Sequence, residues 1–264
     1  MKAVWYEHIG AADDVLMHGN IDDPEVSDGE VLVRLRTSGI NPSDVKTRAG
    51  ARGELQFPRI IPHSDGAGNI EAVGHGVDIN RIGERVWVWN GAFGRAFGTC
   101  AEYISLPANQ AVKMPENSTF EAGACMGIPA STAYHGVFSG GSVNNKTLLV
   151  TGGAGAVGHY AIQLAKWDGA KVIATVSGSE KGLAAKEAGA DLVVNYKTDD
   201  VVQSVNDFTS GEGVDRIVEV EFGGNLSVSK QVIKTNGVIA AYGSVAVGNP
   251  ELPFYSLMFK GAII

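Results

Sequence analysis

The 264-residue sequence predicts an α/β protein in two parts, a small β-barrel followed by a doubly wound parallel sheet. Up to about residue 120, short β-branched or aromatic runs alternate with glycine-rich turns. From 121 to 264, strand-like runs alternate with helix-like ones. Near the start of that second pattern stands Gly152-Gly153-Ala154-Gly155-Ala156-Val157-Gly158, with an apolar strand before it and a helix-forming run behind it.

The strands of the first part are read at Ala3–Tyr6, Val31–Leu35, Asn69–Val73, Arg85–Trp89 and Ala101–Ile104. Asp28-Gly29, Gly74-His75-Gly76 and the stretch from Gly91 to Gly98 supply the turns between them. In the second part, Asn117-Ser118 offers a cap to a short helix, and Pro129–Val137 reads as a longer one. Strands follow at Thr147–Thr151, Lys171–Val176, Leu192–Asn195, Asp215–Glu219 and Val238–Tyr242. Helical segments between them include Ser179–Ala188 and Asp199–Phe208. The chain carries no repeat of fixed period and no low-complexity tract.

With 44% hydrophobic and 19% charged residues the composition is that of a globular protein, long enough for two cores. The formal net charge of −8 argues against a general nucleic-acid or anionic-membrane surface. Cys100 and Cys125 are too few for a disulfide framework and read as reduced, buried thiols of a cytosolic protein. The N-terminus begins directly with a strand pattern, and no apolar run reaches membrane-spanning length. Cytoplasm is the expected location.

Strand, glycine turn and helix in that order make a dinucleotide site. Gly152, Gly155 and Gly158 let the backbone approach a pyrophosphate, and the free N–H groups at Ala156 and Val157 bind it. The next strand ends in Ser177, with Lys181 close behind. NAD-selective sites commonly place a carboxylate there for the ribose 2′-hydroxyl. A hydroxyl and an ammonium instead accept a 2′-phosphate, so the expected cofactor is NADPH. His8, His18 and His75 read as solvated, and His135 and His159 as ordinary helix residues. No Gly-x-Ser-x-Gly elbow supports hydrolase chemistry.

This ordered set resembles the medium-chain dehydrogenase/reductase superfamily, and within it the zinc-free quinone oxidoreductases related to zeta-crystallin. The resemblance covers nearly the whole chain. It implies a GroES-like catalytic barrel over 1–120 and a Rossmann NADP-binding domain over 121–264. Gly39-Ile40-Asn41-Pro42-Ser43-Asp44 resembles the family's first active-site loop, which makes Asn41, Asp44 and Lys46 the candidate catalytic residues. His63-Ser64-Asp65-Gly66-Ala67-Gly68 resembles its Gly-Ser-Asp-x-Ala-Gly stretch, with His63 in place of the usual glycine. Ala124–Ala133 resembles the segment leading to the nicotinamide, where Thr132 matches a cofactor contact. Ser177, Lys181 and Tyr196 match positions that hold the 2′-phosphate, and Gly243-Ser244 the turn over the nicotinamide end.

Zinc-dependent relatives hold a catalytic metal through Cys and His. Here Asn41 stands at the cysteine position and Ser64 at the histidine, so no metal is expected. The chain ends at Lys260–Ile264, inside what resembles the last strand of the nucleotide domain. Relatives continue from there with a segment that returns to the first domain. Their last strand often pairs across subunits, which implies a homo-oligomer, a dimer or a tetramer. Lys46 stands where some quinone reductases carry tyrosine.

Hydride transfer to a quinone requires alignment and stabilisation of the developing oxyanion. Asn41 either donates to the acceptor oxygen or holds its loop as an Asx-turn, and Asp44 with Lys46 either relays a proton or forms a surface ion pair. An enone or enoyl reductase is the rival enzyme; such reductases tend to carry a tyrosine where this chain has Ala49–Gly53. The rival outside enzymology is a non-catalytic, crystallin-like NADPH-binding protein, and the acidic pI argues against RNA.

Overall fold

The computed structural model describes residues 1–264, which divide into the units Met1–Ile128 and Pro129–Ile264. In the first unit, β1 (Lys2–Trp5) and β2 (Met17–Asn20) form an antiparallel pair around the short helix α1 (Ala12–Val15). Five further strands form one antiparallel sheet: β3 (Glu30–Gly39), β4 (Asp65–Val73), β5 (Arg85–Val88), β6 (Tyr103–Pro107) and β7 (Ala111–Lys113), in the order β6-β3-β4-β5-β7. Alternation decides which face is dry: Val31 and Val33 of β3 are buried with Ile70, Val86, Val88, Ile104 and Leu106. Tyr103–Pro107 pairs two residues later than the expected strand, and Ala101 only bridges to Ala3.

The segment after β3 is helical where the sequence suggested a loop. Helix α2 (Pro42–Arg48) starts with proline at a first-turn position, and the Asp44 carboxylate turns back to accept the Asn41 N–H at 2.8 Å. A proline whose missing N–H costs nothing and a reciprocal acid are enough to start a short helix. Helix α3 (Phe120–Ala124) is capped by Thr119, not by Asn117 or Ser118; the Thr119 hydroxyl accepts from the Ala122 N–H at 3.2 Å. Both cysteines are free, but neither is buried: Cys125 ends α3 at the surface and Cys100 is half-buried.

The second unit runs α4 (Ser131–Phe138), β8 (Thr147–Val150), α5 (Ala156–Trp167), β9 (Lys171–Val176), α6 (Ser179–Glu187), β10 (Leu192–Asn195), α7 (Val201–Thr209), β11 (Val214–Glu219), α8 (Phe222–Val232), β12 (Ile233–Ala241) and α9 (Phe254–Lys260). Its strands are all parallel, in the order β10-β9-β8-β11-β12. Residues of one strand serve both faces. Leu148 and Val150 enter one core with Val172 and Ala174, while Leu149 and Ile173 enter the other with Ile217 and Ile239. Near-continuous apolar runs are what a sheet covered on both sides requires.

The order reverses beside β8, and the crevice at the carboxyl ends of strands there is the ligand position of such sheets. Strand β12 begins five residues earlier than expected, because Ile233 pairs with Val214 before a register shift brings Val238 to Arg216. At the carboxyl end, Lys260 closes α9 and only Ile263 pairs, as a parallel bridge to Val238, where a strand was expected. No helix is long and apolar enough to cross a membrane.

Candidate functional site

In the second unit the glycine turn joins β8 to α5. Gly155 is the residue before the helix, and its carbonyl accepts the His159 N–H at 2.8 Å. The N–H groups of Ala156, Val157 and Gly158 therefore open the first turn with no partner in the helix ladder, and they form an anion-binding end. Gly158 is required sterically, since a Cβ there would stand 2.3 Å from the Gly152 carbonyl oxygen. Gly152 holds φ +66°, a left-handed conformation that favours glycine.

Ser177 follows β9 and Tyr196 follows β10, the next strand of the sheet. The Tyr196 N–H donates to the Val176 carbonyl at 3.0 Å, which ties the two strand ends together. Lys181, in the first turn of α6, donates through Nζ to the Ser177 hydroxyl at 3.1 Å. Lys181 and Tyr196 are exposed, so an ammonium, a hydroxyl and a phenol gather on one open edge.

Gly243 and Ser244 follow β12. The Gly243 carbonyl accepts the Phe222 N–H at 2.8 Å, and the Ser244 hydroxyl accepts from Gly223 N–H at 3.0 Å while donating to the Val247 carbonyl. Thr132 is half-buried on α4 and lines a cavity of about 700 Å³ with Ser131, His135 and Tyr242.

Behind the strand ends lies a group the sequence did not reveal. Glu219, fully buried at the end of β11, accepts from the Thr151 hydroxyl at 2.7 Å, the Glu221 N–H at 2.7 Å and the Asn225 amide at 2.8 Å. Three donors compensate the buried carboxylate, and the contact with Thr151 fixes the residue just before the glycine turn. Burial, with the charge of Glu219, pushes the Tyr242 phenol well above its ordinary value.

In the first unit Asn41 is buried, and its side-chain amide donates to an Asp65 carboxylate oxygen at 2.7 Å. Asp65 opens β4 and also accepts the Ile128 N–H at 2.9 Å and 3.0 Å. Burial pushes its carboxyl up to about 6, with the Asp44 charge acting in the same direction and both hydrogen bonds opposing it. Asp44 is likewise raised, chiefly by burial. Lys46 points to solvent on the same helix, and no ion pair joins it to Asp44. The Ser43 hydroxyl, in the first turn of the same helix, is buried without a partner.

Asp65 and Glu219 are the residues that sequence reading missed. Each shows in sequence only as an acid at one end of a strand that carries a second acid, Glu71 in β4 and Asp215 in β11. That signal marks a buried charge once the strand is placed, but it names no partner.

Residues 27–116 match the alcohol dehydrogenase GroES-like domain, and residues 156–264 match the family described as zinc-binding dehydrogenase. The chain belongs to the medium-chain dehydrogenase/reductase superfamily. The human quinone oxidoreductase is similar to this dehydrogenase/reductase at 29% identity over 245 residues, 92% of this chain and 73% of that protein. The 2-methylene-furan-3-one reductase of Solanum lycopersicum is 30% identical over 239 residues, 86% of this chain and 62% of that enzyme. Among solved structures, a quinone oxidoreductase of Pseudomonas syringae superposes with TM-score 0.87 at 26% identity, over 100% of this chain and 80% of that one. A mycobacterial protein complexed with NADPH gives 0.86 at 29%, with the same coverage. Within this superfamily, the first unit is the GroES-like domain and the second the Rossmann domain, and the chain is an oxidoreductase.

Proposed function

We propose that this chain is an NADPH-dependent quinone oxidoreductase that transfers hydride without zinc. The observation that carries the reading is the edge formed by Ser177, Lys181 and Tyr196 beyond a glycine turn that admits a pyrophosphate. These residues fit the cofactor: Gly158 leaves no room for a side chain against Gly152, and Ala156, Val157 and Gly158 offer N–H donors to phosphate. Thr132, Gly243 and Ser244 would meet the nicotinamide half. The bound cofactor supplies the hydride. The NADPH-bound mycobacterial neighbour and the curated quinone oxidoreductases support both halves of the reading.

Asn41 orients the acceptor. One of its two side-chain N–H bonds is committed to Asp65, which fixes the amide plane and leaves the other to donate to the oxygen where charge develops. Asp44 holds the N-terminus of the helix that carries Asn41, and exposed Lys46 supplies positive charge nearby. Metal-free action is supported by donor chemistry. An amide and a hydroxyl, Asn41 and Ser64, replace thiolate and imidazole, and the Asp65 oxygens already accept from Asn41 and Ile128. A quinone is electrophilic enough to need no Lewis acid.

The second reading, an enone reductase, is favoured by the likeness to the furanone reductase of tomato. Steady-state rates with NADPH separate the two: quinone reduction faster than reduction of a cyclic enone supports the first, and the reverse order the second. Helix α9 exposes Phe254, Tyr255, Met258 and Phe259 together, an apolar face suited to a homo-oligomer. Two free cysteines accord with a cytoplasmic location.

A further inference from the structure

A string of three side chains runs back from His63 to the backbone of Asp65, and its protons can be placed by elimination. The Thr99 hydroxyl donates to the Asp65 carbonyl oxygen at 2.6 Å, and a carbonyl only accepts. Thr99 has thus given its one proton, so its contact with the Ser38 hydroxyl at 2.8 Å must be donated by Ser38. Ser38 then has only lone pairs left, and the His63 Nδ1 at 2.9 Å must carry hydrogen. The neutral ring is the Nδ1–H tautomer with a lone pair on Nε2. The ionised ring keeps every bond of the string and differs only by a proton on Nε2.

The backbone shows the same commitment. His63 holds φ +77°, in the left-handed region that a side chain rarely adopts. Its carbonyl accepts the Thr99 N–H at 2.9 Å, so the two residues are joined both through backbone and through Ser38. The string ends on the peptide oxygen of Asp65, whose carboxylate holds the Asn41 amide. His63 and Asn41 are thereby braced on one residue, the first through its backbone and the second through its side chain.

We infer that His63, wired through Ser38 and Thr99 to Asp65, is a catalytic acid that delivers the proton from Nε2 to the reduced acceptor. This rests on the reading of the site as a quinone reductase. Hydride, carrying two electrons, adds to one quinone oxygen and forms the first O–H, and the negative charge settles on the other oxygen. The Nε2–H bond breaks, its proton forms the second O–H of the hydroquinone, the electron pair stays on Nε2, and solvent returns a proton to the ring. Asp44 and Lys46 are then not needed as the relay.

The charged and titratable groups on the segments that hold the string include Arg36 on β3, Asp65 at the start of β4, and Arg95, Cys100 and Glu102 on the stretch before β6, and Glu102 accepts the Lys2 N–H at 2.7 Å. Arg95 is spent on the Asn90 and Gly91 carbonyls and Gln110, and the Asp65 carboxylate on Asn41 and Ile128. Burial alone moves the imidazole, downward. The acid form is therefore lost early, and the rate falls as pH rises.

The test compares wild type with His63→Gly and His63→Gln, using a 1,4-quinone and measuring NADPH affinity separately by fluorescence. Glycine suits the φ of this position, so the fold is retained, while glutamine keeps a donor for Ser38 but has no proton to give. Both should lower kcat about a hundredfold and flatten its pH profile, with NADPH affinity unchanged. Free imidazole should restore the rate of His63→Gly only. Unaltered kcat and pH profile in His63→Gly, with wild type active, would overturn the assignment of His63 alone. A wild type that binds NADPH but reduces no quinone overturns the reading of the site and the role of His63 with it.

Discussion

The side-chain amide of Asn41 donates to the Asp65 carboxylate over 2.7 Å, and both residues are almost wholly buried. The pair joins the start of α2 to the start of β4. The Ile128 N–H completes the arrangement, so three distant stretches of chain meet at one carboxylate. A buried acid with a raised pKa beside a fixed amide is the kind of group found at functional sites.

Asp65 should make stability fall with rising pH. Its pKa is raised from 3.8 to about 6, so the folded protein holds the proton more tightly than the unfolded chain does. The associated stability is complete below the unfolded value and is lost as pH rises through the folded one. Asp65→Asn should abolish that loss, roughly 3 kcal/mol between the two limits. Urea unfolding of both proteins across this window measures it, and parallel curves would contradict the assignment.

Gly127 should not tolerate alanine. A Cβ at that position would lie 2.0 Å from one Asp65 carboxylate oxygen and 3.1 Å from the Val88 carbonyl oxygen. Gly127→Ala should cost about 1–3 kcal/mol of unfolding free energy in urea. A change inside about 0.5 kcal/mol would mean that the carboxylate is free to move.

Lys181→Ala should weaken NADPH by about 1–3 kcal/mol, the range of a lost charge-assisted contact, and leave NADH nearly unchanged. Fluorescence titration gives both constants. Equal losses for the two cofactors would remove the 2′-phosphate from the Ser177 edge.

Asn41→Ala should reduce kcat with a quinone by roughly a hundredfold while NADPH affinity stays constant. It should also push the Asp65 carboxyl further up, because a hydrogen bond that favours its ionised form is lost. An Asn41→Ala enzyme with unaltered kcat would leave the amide a purely structural role.

The parallel sheet was legible because its signals are local. Val172–Val176 is a largely apolar, β-branched run bounded by turns, and Gly152–Gly158 can do little but turn and open a helix. Helix α2 was not legible because Pro42 reads as a breaker until Asp44 is seen to reciprocate. Strand β12 was read short because Asn236, at φ +60°, and Gly237 interrupt it at the register shift. In the site, Asn41 could be found from its motif. Its partner could not, because 24 residues separate it from Asp65 and only the pairing of β3 with β4 brings them together. The Ser38, His63 and Thr99 string is hidden for the same reason, since hydroxyls carry no periodic signal.

The most direct measurement follows NADPH oxidation by the purified, chelator-treated protein with a simple 1,4-benzoquinone, beside primary alcohol oxidation with NADP⁺. Quinone-dependent NADPH turnover should survive chelation, with alcohol oxidation far slower. Activity lost on chelation and restored by zinc, or alcohol oxidation faster than quinone reduction, would contradict it.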